Sequence, residues 1–322
     1  MATSLSSNSL SSKTRGTLSD RAFHLAAVGA ALGVLLILGL IALSTTHEAL
    51  PTIEKEGTKF ITGTQWAPER NVFEAGALIY GTMLASTIAI VVGVPLAIGI
   101  ALFTNEVASR RLRKPIVYVL DLLAAVPSVV YGMWGVKLAG PQLVKIYQKL
   151  ADGTTHVPIL GTLFGGPVFA GSFMTAGLIL AIMITPIVTS ISREIFATVT
   201  PDQKSGALAL GATRWEMIRG VVFPHSRRGL VAAVVLGLGR AMGETIAVAL
   251  VIGGVGQITA RLFASGDAMA AIIANQFGES TGLHRSALIG LGVALFAMTI
   301  LVNIVSQAIL SRGERRLGSA LV

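Results

Sequence analysis

The chain has 322 residues, 53% of them hydrophobic and 13% charged, with a mean hydropathy of +0.74. A soluble domain has no means of burying that much apolar surface, so the composition excludes a water-soluble globular protein and indicates an all-α, polytopic membrane protein. The formal charge of +9 would suggest nucleic acid in a soluble chain, but in a membrane protein the placement of basic residues sets orientation, and no nucleic-acid partner is expected.

Residues 1–20 open with the Ser-rich, apolar-poor stretch MATSLSSNSLSSKT and read as a disordered cytoplasmic tail. The remainder, 21–322, reads as one transmembrane domain. Its first apolar run, 25–44, follows Arg21, is long enough to span and has no small-residue cleavage site after it, so it reads as a retained anchor. Five further spans follow at about 76–103, 115–136, 168–191, 230–254 and 287–310. Each can cross a hydrocarbon core of about 30 Å at about 1.5 Å per residue. Pro95, Pro127 and Pro186 fall inside spans and read as ordinary kinks. The stretch QLVKIYQKL sets Leu143, Ile146, Tyr147 and Leu150 at helical spacing and predicts a short surface helix. AMAAIIANQF, 268–277, is too short to span and reads as a cap over the external mouth.

With the amino terminus inside, sixteen Lys and Arg residues fall in cytoplasmic segments and eight in external ones. The cytoplasmic set includes the clusters at 110–114, 193–228 and 312–316, and the bias puts both termini in the cytoplasm. This orientation places Gly153 and Asp267 in external loops and Ser109 and Ser205 in cytoplasmic ones. The absence of cysteine excludes disulfides, thiolate metal sites and Cys nucleophiles. His24, His47, His156, His225 and His284 are scattered, with no ligand spacing, so no metal and no bound cofactor are expected. No nucleophile and base constellation suggests an enzyme.

Two stretches stand out from the apolar background. The cytoplasmic segment 193–229 carries both signs of charge and a helix-like stretch, DQKSGALALGATRWEMIRGVVFP, that ends at Pro224. Leu208, Leu210, Trp215, Met217 and Ile218 offer it apolar surface for burial against a partner protein. The second stretch, GLGRAMGETIAV at 237–248, sets Arg240 and Glu244 deep in a span. Counted from Leu230 they lie about 15 Å and about 21 Å into the bilayer. Four residues apart on one helix face they can pair, and Gly239 and Gly243 form a small-x3-small pattern for close helix approach, with Gly237 beside it. An Arg at that depth costs roughly 2.5–3.5 kcal/mol on insertion scales, and intramembrane charges mark pathways more often than they lock bundles. Asp121, close to Arg113 and Lys114, reads as a pairing acid at the inner interface, and Asn303 with Gln307 as interhelical hydrogen-bonding residues.

The cytoplasmic segment resembles the signature loop of binding-protein-dependent ABC importer permeases, written Glu-Ala-Ala-x3-Gly-x9-Ile-x-Leu-Pro. Ala207, Gly211, Val221, Phe223 and Pro224 keep its spacing, while Ser205 and Gly206 stand where the family has Glu and Ala. The stretches TQWAPERNVFEAGALIYGT, DLLAAVPSVVYGMWG and GLGRAMGETIAV narrow the resemblance to the C-type permease subunits of phosphate-specific ABC transporters, from about Leu18 to the carboxyl end. The sister A-type permeases share the Arg and Gly-Glu-Thr arrangement but continue with Ala-Pro, where this chain has Ile246-Ala247.

The resemblance implies a type I ABC importer permease (MetI-like) fold. It implies a coupling loop at 193–229, with Ser205, Gly206, Ala207, Gly211, Phe223 and Pro224 against an ATPase subunit, and a phosphate path past Arg240, Glu244 and Thr245. The implied partners are an A-type permease, two ATP-binding subunits, an extracytoplasmic phosphate-binding protein and membrane lipid. No Gly-x4-Gly-Lys-Ser/Thr loop occurs, so ATP and magnesium belong to the partner ATPase. Two alternatives stay open at this point: a permease for sulfate or molybdate, and a proton-coupled secondary transporter with Glu244 as relay.

Overall fold

The computed structural model describes residues 18–318, with side chains from 20 to 308. The expected tail up to residue 17 and the side chains of Arg312, Arg315 and Arg316 lie outside the described residues. The chain divides into two compact units, residues 1–47 and 48–322. Helix α1 (Leu18–Glu56) begins in the first, where it turns Leu25, Leu32, Leu35, Leu36 and Leu43 outward, each more than half exposed. A helix that is apolar all round and unburied suits lipid as solvent and not water. The helix does not stop near Ser44 but runs on through Pro51 to Glu56.

In the second unit α2 (Lys59–Thr62) leads to a hairpin of β1 (Trp66–Ala67) and β2 (Val72–Phe73), antiparallel with Trp66 opposite Phe73. Then come α3 (Gly76–Leu102), a π turn (Phe103–Val107), α4 (Arg110–Ala125), α5 (Ser128–Trp134), a second π turn (Gly135–Ala139), α6 (Gly140–Thr154), α7 (Pro158–Phe164) and α8 (Phe173–Ala197). The carboxyl half holds α9 (Pro201–Ala209), α10 (Arg214–Met217), a third π turn (Ile218–Val222), α11 (Phe223–Gly243), α12 (Ile246–Val251), α13 (Met269–Gln276) and α14 (Gly282–Gly318). Among the described residues five helices are long and apolar enough to cross a bilayer, and the pair Arg110–Ala125 and Ser128–Thr154, bent by 92°, makes a sixth if taken as one crossing.

The centre is the packing of α3 on α8. Every fourth residue of α3 is small and buried: Gly81, Ala85, Ala89, Gly93, Ala97 and Ala101. The same spacing on α8 gives Gly177, Ala181, Thr185 and Thr189, also buried. Small residues in register let two backbones come close, which is the main source of helix association where lipid removes the hydrophobic drive. A Cβ added at Gly177 would stand 3.1 Å from the carbonyl oxygen of Ala85, and one at Gly93 3.1 Å from that of Ala181. Further along, Thr189 Oγ1 donates to the Ala97 carbonyl at 3.3 Å. Contacts on both helices advance in the same sense, so α3 and α8 run parallel. The chain between them must cross back, which makes the bent pair one span and the total six.

Several expected boundaries move for identifiable reasons. The span expected at 115–136 breaks after Ala125, because Pro127 supplies no N–H and holds Val126 extended at ψ 127°. Pro95 and Pro186 leave α3 and α8 uninterrupted. The start of α8 shifts from 168 to Phe173, where the Ser172 hydroxyl accepts from Thr175 N–H. The residues just before it stay extended: Phe169 N–H donates to the Phe263 carbonyl at 3.2 Å and Ser172 N–H to that of Val251 at 3.1 Å. The surface-helix prediction gives α6, in which Tyr147 is buried and stacks on Phe263 at 4.3 Å while Ile146 and Leu150 stay exposed. Helix α13 forms within 268–277 and buries Met269 to Ile272. Asp267 is not an exposed loop residue: it is only 4% exposed, and its Oδ1 accepts from Ala268 N–H at 2.8 Å. Burial pushes its pKa up to about 6, with the Ala268 N–H pulling the other way.

The ladder is testable at its tightest rung. Gly177→Ala drives a methyl into Ile88 and toward the Ala85 carbonyl, whereas Gly99→Ala on the same α3 meets open space. Thermal unfolding of the purified protein in detergent should show a loss of about 1–3 kcal/mol for Gly177→Ala and no measurable change for Gly99→Ala. Equal stability of the two variants would mean that α3 and α8 are not held at this distance.

Candidate functional site

The segment between α8 and α11 is built from two capped helices rather than one. Thr200 and Gln203 form a reciprocal capping box at the start of α9, with Pro201 in the first helical position. The helix ends in a Schellman motif: Gly211 N–H donates to the Leu208 carbonyl at 3.0 Å and Ala212 N–H to the Ala207 carbonyl at 3.2 Å. That closure needs a left-handed residue, which Gly211 supplies at φ +86°. A second capping box, Thr213 with Glu216, starts α10. The stretch does not end at Pro224. A π turn carries the helix across Ile218–Val222 into α11, and Pro224 sits in its first turn.

This folding sorts the apolar side chains that the sequence offered together. Met217 and Ile218 turn inward with Phe196, Val199 and Val222, and Ala207 and Phe223 pack against that cluster. Leu208, Leu210 and Trp215 remain outside, 43%, 91% and 63% exposed. Ser205, Gly206, Gly211 and Pro224 are exposed beside them. The result is a tight corner with three large apolar side chains projecting from it. Two charged residues fix the corner to the membrane domain: Lys204 Nζ donates to Glu106 Oε1 at 2.6 Å, with the lysine 22% and the glutamate 6% exposed. Glu106 lies in the π turn that ends α3. Neighbouring Asn105 donates to the Arg193 carbonyl at 2.8 Å and accepts from Arg113 at 3.0 Å. Arg113 is thus used by Asn105, and Asp121, exposed on α4, forms none of the ion pairs found among the described residues.

The membrane site lies where the fifth span fails to continue to residue 254. Helix α11 stops at Gly243, Glu244 is extended at φ −70° and ψ 126°, and α12 restarts at Ile246. Glu244 Oε1 accepts from Ala247 N–H at 3.4 Å, and Thr245 Oγ1 donates to the Gly243 carbonyl at 3.2 Å, so both residues help satisfy the freed backbone. This break overturns the expected pairing of Arg240 with Glu244. The i,i+4 rule presupposes a continuous helix, and the ion pairs within 4.0 Å among the described residues are Lys55–Glu56, Glu69–Arg70 and Lys204–Glu106. Arg240 and Glu244 instead line one cavity of about 790 Å³, with Gly239 and Gly243 of α11, Ile187 of α8, and Asn303 and Gln307 of α14. Thr245 is not in its lining. The glycines also divide: Gly237 is the packed one, where a Cβ would stand 2.7 Å from Val188 Cγ2, while Gly239 and Gly243 face open space. Asn303 and Gln307 bond to no other helix among the described residues. The described residues contain no metal-binding cluster.

Residues 93–319 match the family model described as "Binding-protein-dependent transport system inner membrane component". The chain belongs to that family. It is 41% identical to the phosphate transport system permease protein PstC of Mesorhizobium japonicum over 307 residues, 95% of this chain and 94% of that one. It is 40% identical to the PstC of Haemophilus influenzae over 289 residues, 89% of this chain and 92% of that one, and 41% identical to PstC 2 of Mycobacterium tuberculosis over 301, 90% and 91%. Among solved structures, an inward-facing MetNI methionine ABC transporter matches with a TM-score of 0.51 at 15% identity, covering 73% of this chain and 92% of that one. That likeness carries the MetI-like fold. This permease is a transport subunit and not an enzyme, since ATP hydrolysis in such importers resides on a separate chain.

Sequence reading missed Glu106 as a partner of Lys204, because 98 residues separate them and no local pattern links the two. Removing one member of a mostly buried pair leaves the other uncompensated. In this permease Glu106→Gln and Lys204→Met should each lower thermal stability in detergent, and the double change should recover part of the loss, giving a coupling energy of about 0.5–3 kcal/mol. Strict additivity would show that the bond does not fix the corner.

Proposed function

We propose that the chain is the transmembrane permease subunit of an ATP-driven importer of inorganic phosphate. It forms the translocation path with an A-type sister permease, receives phosphate from an extracytoplasmic binding protein, and is driven by two ATPase subunits. ATP and magnesium bind on those subunits, and both termini lie in the cytoplasm. The observation that carries the reading is the cavity in which Arg240 and Glu244 stand unpaired with each other, in a chain 41% identical to a phosphate permease.

An Arg at membrane depth persists where it faces water or a counter-charge. A guanidinium free of its neighbouring carboxylate keeps its planar fork available to two anionic oxygens. Glu244 is free to accept a hydrogen bond from the P–OH of protonated phosphate, a proton that sulfate lacks at neutral pH, and its charge keeps the anion from binding too tightly to leave. On the other side, Leu208, Leu210 and Trp215 form the surface that docks on an ATPase subunit, with the Schellman corner at Gly211 and the Lys204–Glu106 bond transmitting its movement to α3.

Phosphate uptake into vesicles holding the assembled transporter tests this reading. Uptake should require ATP on the side from which a cysteine at Ser205 is labelled, which also fixes the orientation of the termini. Arg240→Leu should assemble normally, because Arg240 is exposed to the cavity rather than locked in an ion pair, yet lower uptake by about tenfold to a hundredfold, the loss of a charge-assisted hydrogen bond of about 1.5–3 kcal/mol. The double change with Glu244→Leu should not restore it. Uptake near the parental rate in the double variant would refute the phosphate path, and uptake driven by a proton gradient without ATP would refute the coupling.

A further inference from the structure

The wall of the cavity facing α11 is supplied by α14, where Asn303, Ser306 and Gln307 interrupt an otherwise apolar stretch and the two carboxamides, Asn303 and Gln307, line the cavity. Asn303 and Gln307 lie four residues apart, hence on one helical face. Both line the cavity that holds Arg240 and Glu244. Their neighbours Leu301, Ile304 and Val305 point elsewhere and are 61%, 59% and 49% exposed, as lipid-facing side chains are. Within a membrane span an unbonded carboxamide is costly, and neither Asn303 nor Gln307 has a hydrogen-bond partner among the described residues. Two such groups on one face, both turned toward the same charged cavity, call for a polar occupant of that cavity.

We propose that Asn303 and Gln307 are binding residues for the transported oxyanion, completing from α14 the site that Arg240 and Glu244 begin from α11. The inference rests on the phosphate-path reading and extends it to a second helix. A tetrahedral oxyanion presents acceptors on all sides, and a guanidinium fork on one wall engages only two of its oxygens. Each carboxamide brings two N–H donors and one carbonyl acceptor. The donors bind the remaining oxygens, and the carbonyls accept from P–OH when the anion is protonated. Because the groups are neutral, they add direction and selectivity without deepening the electrostatic well, so the anion is still released.

The test uses the whole transporter in proteoliposomes, with partner chains free of cysteine, since this chain has none of its own. Single cysteines replace Asn303 or Gln307, with Gly243→Cys on the α11 wall as a cavity control and Leu301→Cys and Ile304→Cys as lipid-facing controls. An anionic, water-soluble thiol reagent is the probe, and inorganic phosphate is the protecting ligand. Cysteines at 303, 307 and 243 should react, those at 301 and 304 should not, and phosphate should slow the first three several-fold. Gln307→Glu, which sets a second carboxylate against the anion, should cut uptake more deeply than Gln307→Leu. If 243 is protected while 303 and 307 are not, the amides bond to another helix and the inference fails, with the phosphate path intact. If none of the three is protected, the cavity does not carry phosphate and both readings fall together.

Discussion

The rest of the structure depends on the close parallel contact of α3 with α8. Lipid offers no hydrophobic gain for helix association, so the contact must come from shape and from the few hydrogen bonds that backbone approach permits. Ten small residues at fourfold spacing supply the shape, and Thr189 to the Ala97 carbonyl supplies one bond. The parallel sense of this pair forces the intervening chain back across the membrane, and the break at Pro127 shows how that crossing is bent. Helix α11 then lies against α8 in the opposite sense, seated at Gly229 on Ile195 and at Gly237 on Val188. A frame held by packing on one side of α11 leaves its other side, with Gly239, Arg240 and Gly243, turned to open space.

The functional consequence comes from where α11 ends. Were it to continue for one more turn, Arg240 and Glu244 would stack on one face and neutralise each other. The break after Gly243 separates them while keeping both at one cavity, so that each charge is available to something else. The freed backbone groups are met locally by Glu244 and Thr245, which explains how an interrupted helix is tolerated at membrane depth. At the other end of α11 a π turn carries the helix past Pro224 and joins it to the exposed corner around Gly211. One helix thus runs from the proposed docking surface to the proposed anion site, and Lys204 with Glu106 ties the same corner to α3.

Six spans and the main apolar runs were legible because each needs only length and hydropathy. The segment between α8 and α11 was legible as a spaced motif, and the structure supplies the reason for its glycine: the Schellman closure of α9 requires a left-handed residue, which is a local property that sequence can carry. The ladder on α3 is equally visible as a fourfold repeat of Gly and Ala, whereas the small-x3-small pattern at Gly239 and Gly243 clears space instead of packing. Other features depend on tertiary partners. The Lys204–Glu106 bond, the burial of Asp267 and the division of Met217 from Trp215 follow from which helices meet. The Arg240–Glu244 pairing failed because a helical rule was applied across a break that Gly243 permits and nothing nearby announces.

The most direct measurement of the central claim is an electron cryomicroscopy structure of the assembled transporter in lipid with phosphate present, resolved well enough to place side chains around residue 244. The account predicts a helix broken after Gly243, with the guanidinium of Arg240 and the carboxylate of Glu244 apart and both facing a water-accessible passage between permease subunits. A continuous helix in which the two charges form a closed ion pair, sealed against a neighbouring helix, would contradict it.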